Sequence, residues 1–254
     1  MEIVQDFLKE TEFCNFSDAR VKNLAEEIGL RCAGNKEFAI ATFYWVRDNI
    51  LYSVGNWQRK ASETILEKRG TCTNKSNLLV ALLRYKGIPA GYGVMKVYGQ
   101  KYFGPIAISS FNKFIGKISI HVYALVYLDN KWVKVDPSDD KKLCENTSYF
   151  NSTSKLVDWD GCINAVLNLN KEDIIEDRYP IANIDPWMKK RPKNVKGLVL
   201  KIGNIYVDFV RNNTKIVSGP EELEDLFKKY LKKSYPVYFY LFKIISLLKD
   251  KKLN

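Results

Sequence analysis

The chain of 254 residues contains one histidine, His121. A single imidazole leaves a histidine-rich zinc site improbable, and it leaves one candidate for any histidine-dependent proton transfer. Cysteine is also sparse. Cys14, Cys32, Cys72, Cys144 and Cys162 are odd in number, scattered, and without a Cys-x-x-Cys pair. That pattern argues against a disulfide framework and fits reduced thiols in a cytoplasmic protein. The N-terminus, Met1-Glu-Ile-Val-Gln-Asp, is acidic and lacks the apolar stretch of a secretory signal. No apolar run is long enough to span a bilayer, so no integral membrane segment is expected. No calcium-loop pattern, internal repeat or low-complexity tract is present. No cofactor and no metal dependence are expected.

Apolar residues make up 46% of the chain, enough for a sizeable core. Its net charge of +11 is uneven. From Pro186 to Asn254 there are 16 Lys and Arg against 6 Asp and Glu, whereas the first 185 residues are almost balanced. A basic final third suits an anionic partner, or it is simply a lysine-rich solvated face. No nucleic-acid-binding motif accompanies the charge.

The first seventy residues read as helical. Ser17 can cap a helix through Glu27, Asn35 can cap one carrying Phe38, Ala39, Thr42, Phe43, Val46 and Ile50 on one face, and Ser62 can cap a third ending at Arg69-Gly70. A leucine-rich helix follows Cys72 and stops at Gly87. From residue 92 the apolar period becomes two. Gly91–Tyr98 reads as a strand, 99–118, with its glycines and Pro105, as a long surface loop, and 120–128 with 131–136 as a hairpin turning at Asp129-Asn130. Residues 139–194 show no strong period. Residues 197–217 read as a β-meander with turns at Gly203-Asn204 and Asn212-Asn213, followed by a helix from Gly219-Pro220 and a short apolar helix after Pro236. The last helix either docks on the core or lies in a membrane interface between flanking lysines, including Lys249, Lys251 and Lys252. The expected segments are an N-terminal helical part (1–34), a catalytic core (35–140), a region completing it (141–194) and a basic extension (195–254).

Three residues at element ends carry chemistry. Cys72 falls in the first turn of a helix, where unpaired backbone N–H groups and the helix dipole favour a thiolate. His121 opens a strand, and Asp136 ends the strand that hairpins with it. Counting from the turn, 128 pairs with 131, so Asp136 lies within two residues of facing His121 and can reach its Nδ1–H. Taken singly, Cys72 reads as a small buried residue, His121 as a satisfied core histidine and Asp136 before Pro137 as a turn former. Their coincidence favours a thiol nucleophile with an oriented base.

The same residues carry a family resemblance. Arg69-Gly-Thr-Cys72, the leucine-rich helix behind it and Arg84-Tyr-Lys-Gly-Ile-Pro-Ala90 resemble the nucleophile segment of the transglutaminase-like superfamily. His121 followed by Trp132-Val-Lys-Val-Asp136-Pro137-Ser138 resembles its second signature. The resemblance covers about residues 35 to 140. It implies an α+β, papain-like core, with the nucleophile helix packed on an antiparallel sheet, to which the C-terminal β-meander and helices would be added. It implies acyl transfer in which Cys72 attacks an amide carbonyl, His121 acts as base and then acid, and Asp136 orients it. Two departures stand out: Tyr123 fills a slot often held by Trp, and Thr73-Asn74-Lys75 replaces the more usual Gly-Asp-Tyr/Phe. Lys75 then adds a positive charge near the thiolate or points to solvent. The Cys72 N–H is one expected oxyanion donor, and Trp57 or Gln58 supplies a second unless Trp57 is an ordinary core or loop aromatic.

The expected function is cysteine-dependent acyl transfer on a peptide or amide substrate, most simply hydrolysis. The alternatives are a transglutaminase-type transfer to an amine and an inactive scaffold that binds an anionic partner through the basic C-terminal third.

Overall fold

Helices come first in the computed structural model, which describes residues 2–103, 107–112, 114–147, 156–167, 169–191 and 197–247. Pro105 and the lysines at 249, 251 and 252 lie outside the described residues. A short helix, α1 (Glu2–Gln5), precedes α2 (Ala19–Gly29). The cap of α2 is Asp18 rather than Ser17: its carboxylate accepts from the Arg20 N–H at 2.9 Å, while Ser17 donates to Glu10. An ionised oxygen is the better acceptor at the positive end of a helix. In α3 (Asn35–Asn49) the expected face is buried, and Gly34 rather than Asn35 holds the cap position. Strand β1 (Leu51–Tyr52) pairs in parallel with β2 (Arg69–Gly70), and α4 (Ala61–Glu67) lies between them. Ser62 is inside α4, bonded to Asn15, so Lys60 and not Ser62 precedes that helix.

Helix α5 (Cys72–Tyr85) is central. Every residue from Thr73 to Arg84 is buried. A helix surrounded on all sides can be apolar on most of its face, as the run from Leu78 to Leu83 is. Beyond it come β3 (Ala90–Tyr98), α6 (Gly99–Phe103), α7 (Ser109–Asn112), β4 (Ile118–Leu128) and β5 (Lys131–Val135). Asp129 and Asn130 both have positive φ (49° and 61°), the two-residue turn whose twist matches the strands. Leu128 pairs with Lys131, and the ladder ends at Ala124 opposite Val135. Helix α8 (Lys141–Glu145) leads to β6 (Ile174–Ile181), which completes an antiparallel sheet in the order β5-β4-β3-β6. Leu78, Leu79, Leu82 and Leu83 of α5 share one apolar core with Tyr92, Val122, Ala124, Val126, Val133 and Val135 of the sheet. Each such leucine contributes about 1.5–3 kcal/mol by burial. The architecture is the expected α+β one, a nucleophile-bearing helix on an antiparallel sheet.

Three expectations are corrected. The segment 99–118 is not simply a surface loop: it contains α6 and α7, and Ile108 and Ser110 are buried. Region 139–194 supplies β6. After α9 (Asp185–Met188) the expected β-meander is instead a single helix, α10 (Leu198–Asn212). Leu198, Ile202, Tyr206 and Val210 recur every four residues, and the last three are buried. The Gly203-Asn204 pair that reads as a turn lies inside the helix. Asn204 spends its amide on the Val54 backbone, accepting at 2.9 Å and donating at 3.0 Å. Helices α11 (Pro220–Ser234) and α12 (Pro236–Leu247) follow as expected. With α10 they enclose a second core that includes Ile202, Phe227, Leu231 and Phe242 and takes in Ile108 from the 99–118 segment. No helix among the described residues is long and apolar enough to cross a membrane.

Candidate active site

Cys72 is the first residue of α5, and the turn that presents it is fixed from both sides. Thr71 and Asn74 cap one another: the Thr71 N–H donates to Asn74 Oδ1 (3.0 Å) and the Asn74 N–H to Thr71 Oγ1 (3.4 Å). The Asn74 amide also donates to the Trp57 carbonyl (3.1 Å). Gly70 has to be small, because a Cβ there would lie 2.8 Å from Asn74 Cβ. The Gly-Thr-Cys spacing therefore encodes a tight approach followed by a capped helix end.

His121 and Asp136 are each 1% exposed, and His121 Nε2 lies 2.5 Å from Asp136 Oδ2. One step beyond the last ladder pair, Asp136 stands diagonally across from His121, within side-chain reach. The contact is at Nε2, not at the expected Nδ1. The carboxylate comes from the end of a neighbouring strand and meets the far nitrogen of the ring. Nδ1 lies 3.0 Å from the Tyr102 hydroxyl. The other carboxylate oxygen of Asp136 accepts the Ser138 N–H (3.0 Å) and hydroxyl. The structure brings His121 and Asp136 into contact, and Cys72 stands near enough for the imidazole to act on its thiol.

The electrostatics follow from these contacts. Burial would push the Cys72 thiol up, but the hydrogen bond and charge of His121, together with the Val122 backbone N–H, hold it below its ordinary value. Burial drives Cys14 up to about 11, and Cys32 also lies above its ordinary value. Burial would lower His121 too, yet Asp136 and Cys72 hold it well above the usual histidine range. For Asp136, burial is outweighed by His121 and Ser138, and the carboxyl lies below its ordinary value. The arrangement favours a thiolate–imidazolium pair backed by a carboxylate.

Other expected residues go elsewhere. The Gln58 amide donates to the carbonyls of Lys189 (3.1 Å) and Arg191, so it is spent on the backbone and is not a free oxyanion donor. Lys75 neither points to solvent nor stands against the thiol. It is fully buried, and its ammonium donates to the carbonyls of Arg47 (3.1 Å) and Ile50 (2.6 Å). Tyr123, in the slot often held by Trp, is fully buried over Gly93, where a Cβ would lie 2.0 Å from its ring, and its hydroxyl donates to Asp177 on β6 (2.6 Å). Tyr102 and Asp139 were missed by sequence reasoning. Asp139 is half-buried, and burial, then Asp136, raises it to about 6. The acidic pair Asp139-Asp140, so soon after Asp136-Pro137, was the available signal. Tyr102 had none.

Residues 22–137 match the model of the transglutaminase-like superfamily. No curated protein matches the chain. Among solved structures, a candidate cysteine protease from Cytophaga hutchinsonii is 23% identical with a TM-score of 0.42, over 54% of this chain and 42% of that one. A candidate protease from Parabacteroides distasonis is 14% identical with a TM-score of 0.36, over 54% of this chain and 26% of that one. The chain thus spans less than half the length of either solved protein.

Proposed function

We propose, from the premise that residues 22–137 belong to the transglutaminase-like superfamily, that this chain is a cysteine-dependent acyl-transfer enzyme that hydrolyses a peptide or amide bond. The observation that carries the reading is the buried His121–Asp136 pair holding the Cys72 thiol below its ordinary pKa at a helix N-terminus.

The Cys72 thiolate attacks the amide carbon. The oxygen gains negative charge, and the first-turn N–H of Cys72, which has no acceptor within the helix, is placed to receive it. His121, already charged, passes its proton to the departing nitrogen, the C–N bond breaks and a thioester remains. A water then gives a proton to His121 as its oxygen attacks the thioester, the C–S bond breaks and the thiolate returns. The net change is amide plus water to carboxylic acid plus amine. Asp136 holds the imidazole in place and stabilises its charged form. Cys72 is only half-buried, which supports water as the acceptor.

Alkylation by iodoacetamide at pH 6 to 7, mapped by mass spectrometry, tests the reading. Cys72 is expected to react far faster than Cys14, Cys32, Cys144 and Cys162, and His121→Ala is expected to abolish the difference. Equal sluggishness of all five thiols would favour an inactive scaffold. Amine incorporation into a glutaminyl peptide, in place of hydrolysis, would assign the acceptor to an amine.

A further inference from the structure

Arg191 is a sheltered cation with no ion-pair partner among the described residues. It lies just beyond α9, half-buried, with its guanidinium 4.4 Å from the centroid of the Trp187 ring. Its carbonyl accepts from Gln58, and the adjacent Trp57 carbonyl accepts from Asn74 in the first turn of α5. These bonds tie the Arg191 segment to the helix end that presents Cys72. Burial holds the guanidinium below its ordinary value, and a thiolate at Cys72 pulls the other way. Arg47, Arg69 and Arg211 each meet a carboxylate (Asp48 and Asp158, Asp208, and Asp140 respectively), and Arg84 and Arg59 donate to backbone carbonyls, so among the described residues the sheltered Arg191 guanidinium is set apart by having neither.

A guanidinium withdrawn from water without a counterion is unfavourable unless a partner arrives. Stacking on Trp187 uses its face and leaves the N–H edge for a planar, bidentate acceptor. We infer that Arg191 is a specificity residue that binds a carboxylate on the acyl substrate, close to the carbonyl attacked by Cys72. This inference rests on the acyl-transfer reading. In a peptide or amide substrate the carboxylate has two sources, the C-terminus or an acidic side chain. Arg191 lies outside the matched segment 22–137, so the preference belongs to this chain's own C-terminal part.

The test compares iodoacetate with iodoacetamide as alkylating agents for Cys72. They differ in a carboxylate against an amide. The ratio of their rates in the intact protein is expected to fall about fivefold in Arg191→Gln, the effect of one unit charge across a partly screened gap. Arg191→Lys keeps the charge and is expected to retain most of the ratio. Thermal unfolding of both variants checks that they fold. If Cys72 is no more reactive than the other thiols, the acyl-transfer reading fails. If Cys72 is reactive and the ratio is the same in all three proteins, only the role of Arg191 fails. Three pentapeptides of one sequence then separate the sources as competitors of iodoacetamide: neutral and amidated, with a free C-terminus, and with Glu in place of Gln. Better protection by the second or the third identifies the source, and protection no better than that of the neutral peptide overturns the proposal.

Discussion

Asp136 influences Cys72 in two opposed ways. Its negative charge directly disfavours the thiolate, and it keeps His121 charged, which favours it. The direct effect is the smallest of the named influences on Cys72, whereas the hydrogen bond and charge of His121 follow only burial. The indirect effect therefore wins. Asp136→Asn keeps the shape and removes the charge, so burial pulls His121 down against Cys72 alone and the thiol loses much of its cationic partner. The pH midpoint for Cys72 alkylation is expected to rise by about one unit or more. A midpoint that stays or falls would show that Asp136 does not act through His121. Stability follows the same pair. His121 is raised when folded, so its contribution is complete below the unfolded value near 6.5 and is lost as pH climbs through the folded value. Asp136 is lowered, so its contribution is complete above 3.8 and is lost as pH falls through the folded value. The difference in urea midpoint between wild type and Asp136→Asn is expected to be greatest from about pH 4 to 6.5. At this scale Cys72 and Asp136 were legible in the sequence because they mark element ends that local pattern reveals. His121 does not open its strand as expected, since β4 begins at Ile118, and it was legible as the chain's one imidazole on the strand that hairpins toward Asp136. Tyr102 and Arg191 were not legible, because packing across 19 residues of chain brings Tyr102 to His121 and long-range bonds through Gln58 and Asn74 tie the Arg191 segment to the Cys72 helix end, and neither stands in a patterned segment.

At the scale of elements, Lys75 joins two helices. It stands one turn into α5, and its ammonium caps the last carbonyls of α3 and the residue beyond, a favourable place for positive charge. Burial nonetheless lowers its pKa to about 8, against the opposing pull of Asp140 and Asp139. Lys75→Met would bury a similar stem and leave the Arg47 and Ile50 carbonyls without that donor. A loss of about 2 kcal/mol near pH 7 is expected, in the range for buried acceptors left unpaired. The sign of the pH dependence is specific. A lysine whose pKa is lowered on folding holds fewer protons when folded than unfolded between about 8 and 10.5, so wild-type stability gains there. Lys75→Met lacks that gain, and the gap in urea midpoint between the two proteins is expected to widen from pH 7 to pH 10. A narrowing gap would contradict a buried, destabilised ammonium. Helix identity was harder to read than helix packing. The α3 face from Phe38 to Ile50 follows from period alone, but α10 resembles strands because it is rich in β-branched and aromatic residues. Its Asn204 is explained only by Val54, 150 residues earlier. Tertiary contact decided what propensity left open.

At the scale of the molecule there are two principal apolar cores, and a buried ion pair helps to bind them. Arg211 of α10 and Asp140 are 3% and 2% exposed, with the guanidinium donating to both carboxylate oxygens at 2.9 to 3.1 Å. Arg211 also donates to the Tyr52 carbonyl (2.6 Å), and Asp140 accepts the Tyr52 N–H (2.9 Å), so β1 is held from both partners. Asp140 lies four residues beyond Asp136 on a segment that includes Pro137, Ser138 and Asp139. The second core is therefore coupled by chain to the carboxylate that steadies His121. Arg211→Met removes the countercharge and leaves Asp140 buried, which is expected to destabilise the protein by about 3–5 kcal/mol. Adding Asp140→Asn removes the stranded charge and keeps a side-chain acceptor for the Leu143 N–H (3.1 Å), so the double variant is expected to recover much of the loss in a double-mutant cycle. The same cycle read by Cys72 alkylation decides what the second core does. If it is a passive neighbour, Arg211→Met loses stability while Cys72 reacts as in wild type under conditions where both are folded. If it braces the site, the loosened segment lets Asp136 drift from His121, and the alkylation midpoint of Arg211→Met rises in the same direction as that of Asp136→Asn. The short covalent path and the hydrogen bonds at both ends of it favour the second outcome.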